Sequence, residues 1–232
     1  MNGKSMPLTE SNPPLTEAAA KQENSMPKKT AILHSAQEVF GQHGYSTTTM
    51  KMVAEKAGVA FGLVAHYYGN KESLFITAGF SMIDDLLATL SHKTRKARSG
   101  LDGVRLFVES YLTFTQEHRR TFPVLIRCSP FSDVELPAER ERIAEKFLEI
   151  IHALQAFVRR GQQDGSINPE LPEAETAFLI YSNIVGAVRT TMITPYNVPG
   201  LYAETVRYVV RSLSVAAESS IPPFLRPSSL VD

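Results

Sequence analysis

At 232 residues and 43% hydrophobic content the chain is long enough to bury a sizeable core, which excludes disorder throughout. Its 24 Lys and Arg residues balance 24 Asp and Glu, so no global basicity points to nucleic acid and any such surface has to be local. A single cysteine, Cys128, excludes an internal disulfide, and no Cys/His spacing resembles a metal site.

No uninterrupted apolar stretch approaches the roughly 20 residues of a membrane span, and no basic-then-apolar leader precedes the body of the chain. A reducing, cytoplasmic setting away from the membrane is therefore expected. Residues 1–26 are rich in Pro, Ser, Thr, Asn and Gln and read as a mobile arm. From Pro27 onward apolar residues recur at helical spacing, with no sustained two-residue alternation, so the expected fold class is all-α.

The first helix carries Ile32, Ala36, Val39 and Phe40 on one face and ends near Gly44. Thr47, Thr48 and Thr49 offer an N-cap to a second, short helix bearing Met50, Val53, Ala54 and Ala57, which Gly58 ends. A third short helix spans about Ala60 to Tyr67, before the Gly69-Asn70 break. The fourth begins at Lys71 and sets Phe75, Ala78, Met82, Ile83, Leu86 and Leu90 in a stripe long enough to join two domains.

The fifth helix, after Ser99-Gly100, has apolar residues on two sides and should be central. Pro123 and Pro130 bracket a short sixth helix, and Pro137 opens a long seventh that ends near Gly161 with Ile143, Phe147, Ile150, Leu154 and Phe157 on its core face. An eighth helix runs from Pro172 to about Thr194, and a ninth from about Gly200 to Glu218. The eighth is again two-sided, with Phe178, Val185 and Met192 on one side and Ala177, Tyr181, Ile184 and Val188 on the other. With Tyr208, Val209, Leu213 and Ala216 of the ninth it could build an intermolecular four-helix bundle.

Function concentrates between Met50 and Gly69. Two short helices crossing at close range need a small residue at the contact, which Ala54 supplies, and a positive φ four residues later, which Gly58 supplies. Val53, Ala57, Val59 and Val64 then fall where side chains must point inward. Across residues 28–72 five lysines stand against three glutamates, a local surplus of positive charge.

This pattern resembles the TetR family of bacterial transcriptional regulators. The resemblance is carried by Ala36 and Phe40, by Gly44-Tyr45 with Thr47-Thr48-Thr49-Met50, and by Ala54, Ala57-Gly58-Val59, Gly62, Tyr68, Lys71-Glu72 and Leu74. It implies an N-terminal three-helix helix-turn-helix DNA-binding domain over residues 27–72 and a helical effector-binding and dimerisation domain over residues 73–218, with a tail at 219–232. It further implies that Phe61, Gly62, Ala65, His66 and Tyr67 meet bases or sugar-phosphate, while Thr48, Thr49, Lys51 and Lys71 hold phosphates. Two residues depart from the family pattern: Ala60 stands where a serine commonly caps the third helix, and Ala65 where a phosphate-binding tyrosine is usual.

The expected activity is that of a ligand-responsive regulator, by default a repressor, that leaves a palindromic double-stranded operator when a small hydrophobic or aromatic effector binds. Phe107, Tyr111, Phe114, Phe147 and Tyr181 are the candidate effector-lining residues, although aromatic residues at helical spacing also serve as ordinary core. Dimerisation is assigned to the last two helices. No catalytic or metal residues and no cofactor are expected, since no phosphate loop, His-Glu-x-x-His or Gly-x-Ser-x-Gly pattern occurs. The rival reading, encouraged by Ala60 and Ala65, is a helical small-molecule sensor or carrier with a degenerate head.

Overall fold

The computed structural model describes residues 27–129 and 136–214. The arm at 1–26, the tail at 219–232, Ala216 and Glu218 lie outside them. Among the described residues the fold is all-α, with no strand. The helices are α1 Lys28–Thr47, α2 Met50–Lys56, α3 Phe61–Tyr68, α4 Lys71–Thr94, α5 Gly100–Glu117, α6 Pro123–Cys128, α7 Arg140–Gln163, α8 Glu173–Ile193 and α9 Leu201–Leu213.

Local chemistry accounts for most of the boundaries. Helix α1 runs past Gly44, but that residue sits at φ 80°, ψ 174°, so regular helix geometry breaks where the sequence places its end. Thr49, Asn70 and Ser99 each accept a backbone N–H at the starts of α2, α4 and α5, satisfying donors that a first turn leaves without a partner. Pro137 starts a 3₁₀ turn, Pro137–Glu139, and α7 proper begins only at Arg140. Helix α9 stops at Leu213 and not at Glu218, because Ser214 turns to extended geometry.

Helix α5 is the central helix, packing on α4, α7, α8 and α9, which is why its apolar residues occupy two sides. Its first turn is fastened to the end of α7. Asp164 Oδ2 accepts the Gly100 N–H at 2.7 Å, Ser166 accepts that of Leu101 at 3.1 Å, and Gly100 lies directly on the Gly161 backbone. Helix α4 joins the two halves without interruption, so the expected boundary at residue 72 falls inside its first turn and is not a linker.

By length and composition α4 does meet the criterion for a membrane span, contrary to the sequence reading. Leu74, Phe75, Ile83, Leu86 and Leu90, however, are buried against α1, α5 and α6, the position of a core helix. Of the two apolar sides of α8, Ala177, Tyr181, Ile184 and Val188 are buried, while on the other Phe178 is exposed and Val185 and Met192 line clefts. The outward apolar residues are Phe178, Leu179 and Ile193 on α8, with Tyr208 on α9.

Helix α6 packs between α1 and α4, and Cys128 at its end presses its sulfur against Gly79 of α4. Burial pushes the thiol up to about 12.

Two outcomes follow from this packing. A methyl group at position 100 would lie 2.0 Å from the Gly161 nitrogen, so Gly100→Ala should cost about 3 kcal/mol in thermal or denaturant unfolding. Gly62→Ala, facing open space, should stay within about 1 kcal/mol of wild type; equal effects at both sites would refute the close approach. At pH 8 roughly one Cys128 in ten thousand is thiolate, so a disulfide reagent should label the native chain slowly and the denatured chain at the ordinary rate. Rapid native labelling would mean that α6 is not seated as described.

Candidate nucleic-acid interface and internal cavity

Helices α1, α2 and α3 form a small head closed by Ile32, Ala36, Phe40, Val53, Ala54, Val64 and Tyr68. The turn between α2 and α3 is a Schellman motif. Val59 N–H donates to the Ala54 carbonyl at 3.0 Å and Gly58 N–H to that of Glu55 at 3.2 Å, with Gly58 at φ 65°. A residue with a Cβ is strained at that angle, so the glycine predicted from spacing is what lets α3 turn away from α2. Val53 is fully buried, whereas Ala57 and Val59 pack only partly against the core.

Helix α3 is anchored from behind and open in front. The Tyr68 hydroxyl donates to the Lys29 carbonyl at 2.8 Å, tying the end of α3 to the start of α1. Burial, then neighbouring Tyr67, raise the Tyr68 phenol, so it stays a neutral donor. On the opposite face Phe61 is 55% and Tyr67 39% exposed, and Gly62 and His66 are exposed beside them, with Ala65 half-buried. The His66 and Tyr67 rings sit 5.3 Å apart. Exposed aromatics side by side on a short helix make a surface suited to a partner.

Of the residues expected around this face, Thr49 is exposed and its oxygen caps α2, accepting the Met52 N–H at 3.2 Å. Lys51 is exposed, 3.8 Å from Glu55. Lys71 reaches the Ser46 carbonyl at 3.2 Å and lies 4.5 Å above the Tyr45 ring. Thr48 is a correction: it is fully buried, and its hydroxyl donates to the Gly44 carbonyl at 2.7 Å, closing the break in α1. Its side chain does not reach a phosphate. Lys56 is also taken, paired at 3.0 Å with Glu38 of α1.

The body holds a narrow cleft of about 20 Å³, lined by Tyr111, Phe122, Leu125, Ile126, Ser129, Phe147, Tyr181, Val185, Val188 and Arg189. Three of the five expected residues, Tyr111, Phe147 and Tyr181, stand on its wall. Phe107 and Phe114 do not: both are buried in packing, Phe107 as plain core and Phe114 stacked on His118 at 3.9 Å. The Tyr111 and Tyr181 rings meet edge to face with centroids 6.3 Å apart; burial first, with Tyr181 next, pushes the Tyr111 phenol well above its usual range, and burial raises Tyr181 as well. The wall is thus apolar with neutral hydroxyls and one guanidinium, that of Arg189.

Sequence reasoning found α6 but gave neither it nor its flanking residues a place at the cavity, to which they supply Phe122, Leu125, Ile126 and Ser129. From the other face of the same helix, Arg127 Nε donates to the Gly41 carbonyl of α1 at 3.1 Å. Gln37 of α1 donates to the Ala78 carbonyl of α4 at 3.3 Å, and Glu38 faces Arg120 at 3.6 Å. The Arg127 and Arg120 contacts come from the segment that also walls the cavity, and the Gln37 contact from α4. The bracketing prolines mark α6 as punctuation in the sequence, and only its Leu-Ile pair hints at a buried role.

Comparison with known proteins agrees with this geometry. The family model for bacterial regulatory proteins of the tetR family matches residues 32–78. The HTH-type transcriptional regulator UidR of Escherichia coli is 23% identical over 198 residues, 84% of this chain and 97% of its own. TtgR of Pseudomonas putida, also an HTH-type transcriptional regulator, is 25% identical over 187 residues, covering 76% and 85%. Among solved structures, the transcriptional regulator FadR from Bacillus subtilis in complex with stearoyl-CoA superposes with a TM-score of 0.69 at 18% identity, over 79% of this chain and 98% of that one. Residues 32–78 thus form a helix-turn-helix head that matches the tetR family model, its reading helix open in front, and the chain is a DNA-binding transcriptional regulator resembling those of the TetR family.

Proposed function

We propose that the chain is a cytoplasmic, homodimeric repressor, not an enzyme, that leaves a palindromic operator when a small apolar effector enters the cavity walled by Tyr111, Phe122, Phe147 and Tyr181. The observation that carries this reading is the double role of α6: Leu125, Ile126 and Ser129 face the cavity, while Arg127 holds α1 of the head. An occupant that moves α6 therefore moves a contact of the head, alongside any tilt of α4. It can shift the equilibrium only by its difference in affinity for the two arrangements.

The reading surface is Phe61, Gly62, Ala65, His66 and Tyr67 in the major groove, with Thr49, Lys51 and Lys71 at phosphates. Phe61 is suited to thymine methyls and His66 to a base-edge acceptor or donor. The missing hydroxyl at Ala60 leaves α3 without a side-chain cap, that at Ala65 removes a phosphate partner, and the exposed His66 and Tyr67 supply polar groups instead. Two such helices must sit about 34–36 Å apart on one face of DNA, which requires a twofold partner. The outward Phe178, Leu179, Ile193 and Tyr208 of α8 and α9 suit that partner's matching surface.

Selection of bound fragments from a random DNA pool should return a twofold-symmetric site, with affinity that falls steeply as salt rises. On that site Phe61→Ala and His66→Ala should each weaken binding about tenfold and relax base preference. Lys51→Ala should weaken all sequences alike and lower the salt slope by about 1. A pool that yields no enriched sequence would favour a sensor with a degenerate head. Arg127→Ala should leave a folded, DNA-binding protein whose release by an apolar effector is weakened severalfold; unchanged release would remove α6 from the mechanism.

A further inference from the structure

A second cavity opens next to the first, at the end of the body where α5 and α8 finish and α9 begins. It measures about 340 Å³ and is lined by Thr115, Gln116, Arg119, Thr191, Met192 and Tyr202. Its chemistry differs from that of the inner cavity: hydroxyls, an amide and a guanidinium replace most of the apolar wall. Among the described residues Arg119 makes no ion pair or hydrogen bond, in contrast to Arg120 beside it, which faces Glu38.

The two cavities lie along the same two helices. On α5, Thr115 and Gln116 follow Tyr111 by about one turn, and on α8, Thr191 and Met192 follow Val188 likewise. What separates them is a short row of hydroxyls. Tyr111 and Tyr181, with rings 6.3 Å apart, stand on the inner side. The Tyr202 and Thr115 hydroxyls meet at 3.1 Å on the outer side, and because Thr115 gives its proton to the Leu112 carbonyl at 2.7 Å, Tyr202 is the donor in that pair. A partition of phenol hydroxyls can yield by side-chain rotation without breaking a helix.

We propose that the outer cavity is the second half of the effector site, built for the anionic end of an elongated amphipathic ligand whose apolar body fills the inner cavity. The assignment rests on the inner cavity being the effector site. Arg119 pairs with a single carboxylate or equivalent anion, the charge and fork geometry that one otherwise unpaired guanidinium matches. The Gln116 amide is a further donor on the wall, while the Tyr202 proton is held by Thr115. A cationic end would be repelled there, and a wholly apolar ligand would leave the donors of the outer cavity to water.

The test uses the full chain in calorimetric titrations with two probes of equal chain length, decanoate and the neutral decanol. Decanoate should bind about tenfold more tightly than decanol, and Arg119→Gln should bring decanoate down to the level of decanol while leaving decanol unchanged. Arg119→Lys should recover part of the preference, since it restores the charge without the fork. Arg119 is exposed, so these variants should keep the wild-type unfolding temperature. If decanoate and decanol bind equally to wild type, or if Arg119→Gln leaves decanoate unaffected, the outer site is refuted and the inner one stands. If neither probe binds, both assignments fall.

Discussion

The close approach of α1 to the turn that precedes α6 is the contact on which the rest of the molecule depends. Gly41 makes it possible: a methyl group there would lie 3.3 Å from both the Arg120 carbonyl oxygen and the Val124 nitrogen. Backbone meets backbone at that point, with Arg127 on one side and the Glu38–Arg120 pair on the other. The head is therefore seated on the body's most slender element, a helix of six residues, as well as on the continuous shaft of α4. A closely packed contact of this kind transmits displacement because it has little slack to absorb it.

The reading head was legible in the sequence because its geometry imposes residue-specific demands. Gly58 must accept a positive φ, Ala54 must be small, and Asn70 and Thr49 must cap; each is a requirement that few residue types satisfy. Thr48 was misassigned for the same kind of reason in reverse. A threonine at a helix end can cap, bond back to a carbonyl or meet a phosphate, and only the break at Gly44 decides for the second. Tyr68 belonged to the recognised pattern, yet its anchoring bond to Lys29 spans 39 residues and leaves no local trace.

The cavity was legible only in part, since periodicity reports that a side chain is buried but not whether its neighbour is another side chain or empty space. Phe107 and Tyr111 lie one turn apart on α5, and only the second faces the cavity. Walls drawn from α5, α6, α7 and α8 depend on how four helices meet, which no single window of sequence encodes. The outer cavity was less visible still, because Thr115, Arg119, Thr191 and Tyr202 come from three helices and the turn after α5, and read individually as solvated ends.

The strength of the joint between head and body can be bounded from its parts. The Arg127 and Gln37 hydrogen bonds each contribute about 1 kcal/mol net, and the half-exposed Glu38–Arg120 pair at most about as much. Together they fall in the range of about 1–3 kcal/mol typical of coupling between a ligand site and a distant one. A joint much stronger would hold the head in one attitude whether or not the cavity were filled, and one much weaker would let the head move without reporting on it. The apolar packing of Phe40 and Tyr45 around Phe75, with rings 5.0 and 4.9 Å away, keeps the head seated on α4 in either arrangement. The polar contacts at α6 are then the ones an effector can exchange at small cost, and filling the cavity biases the head without unfolding its seat.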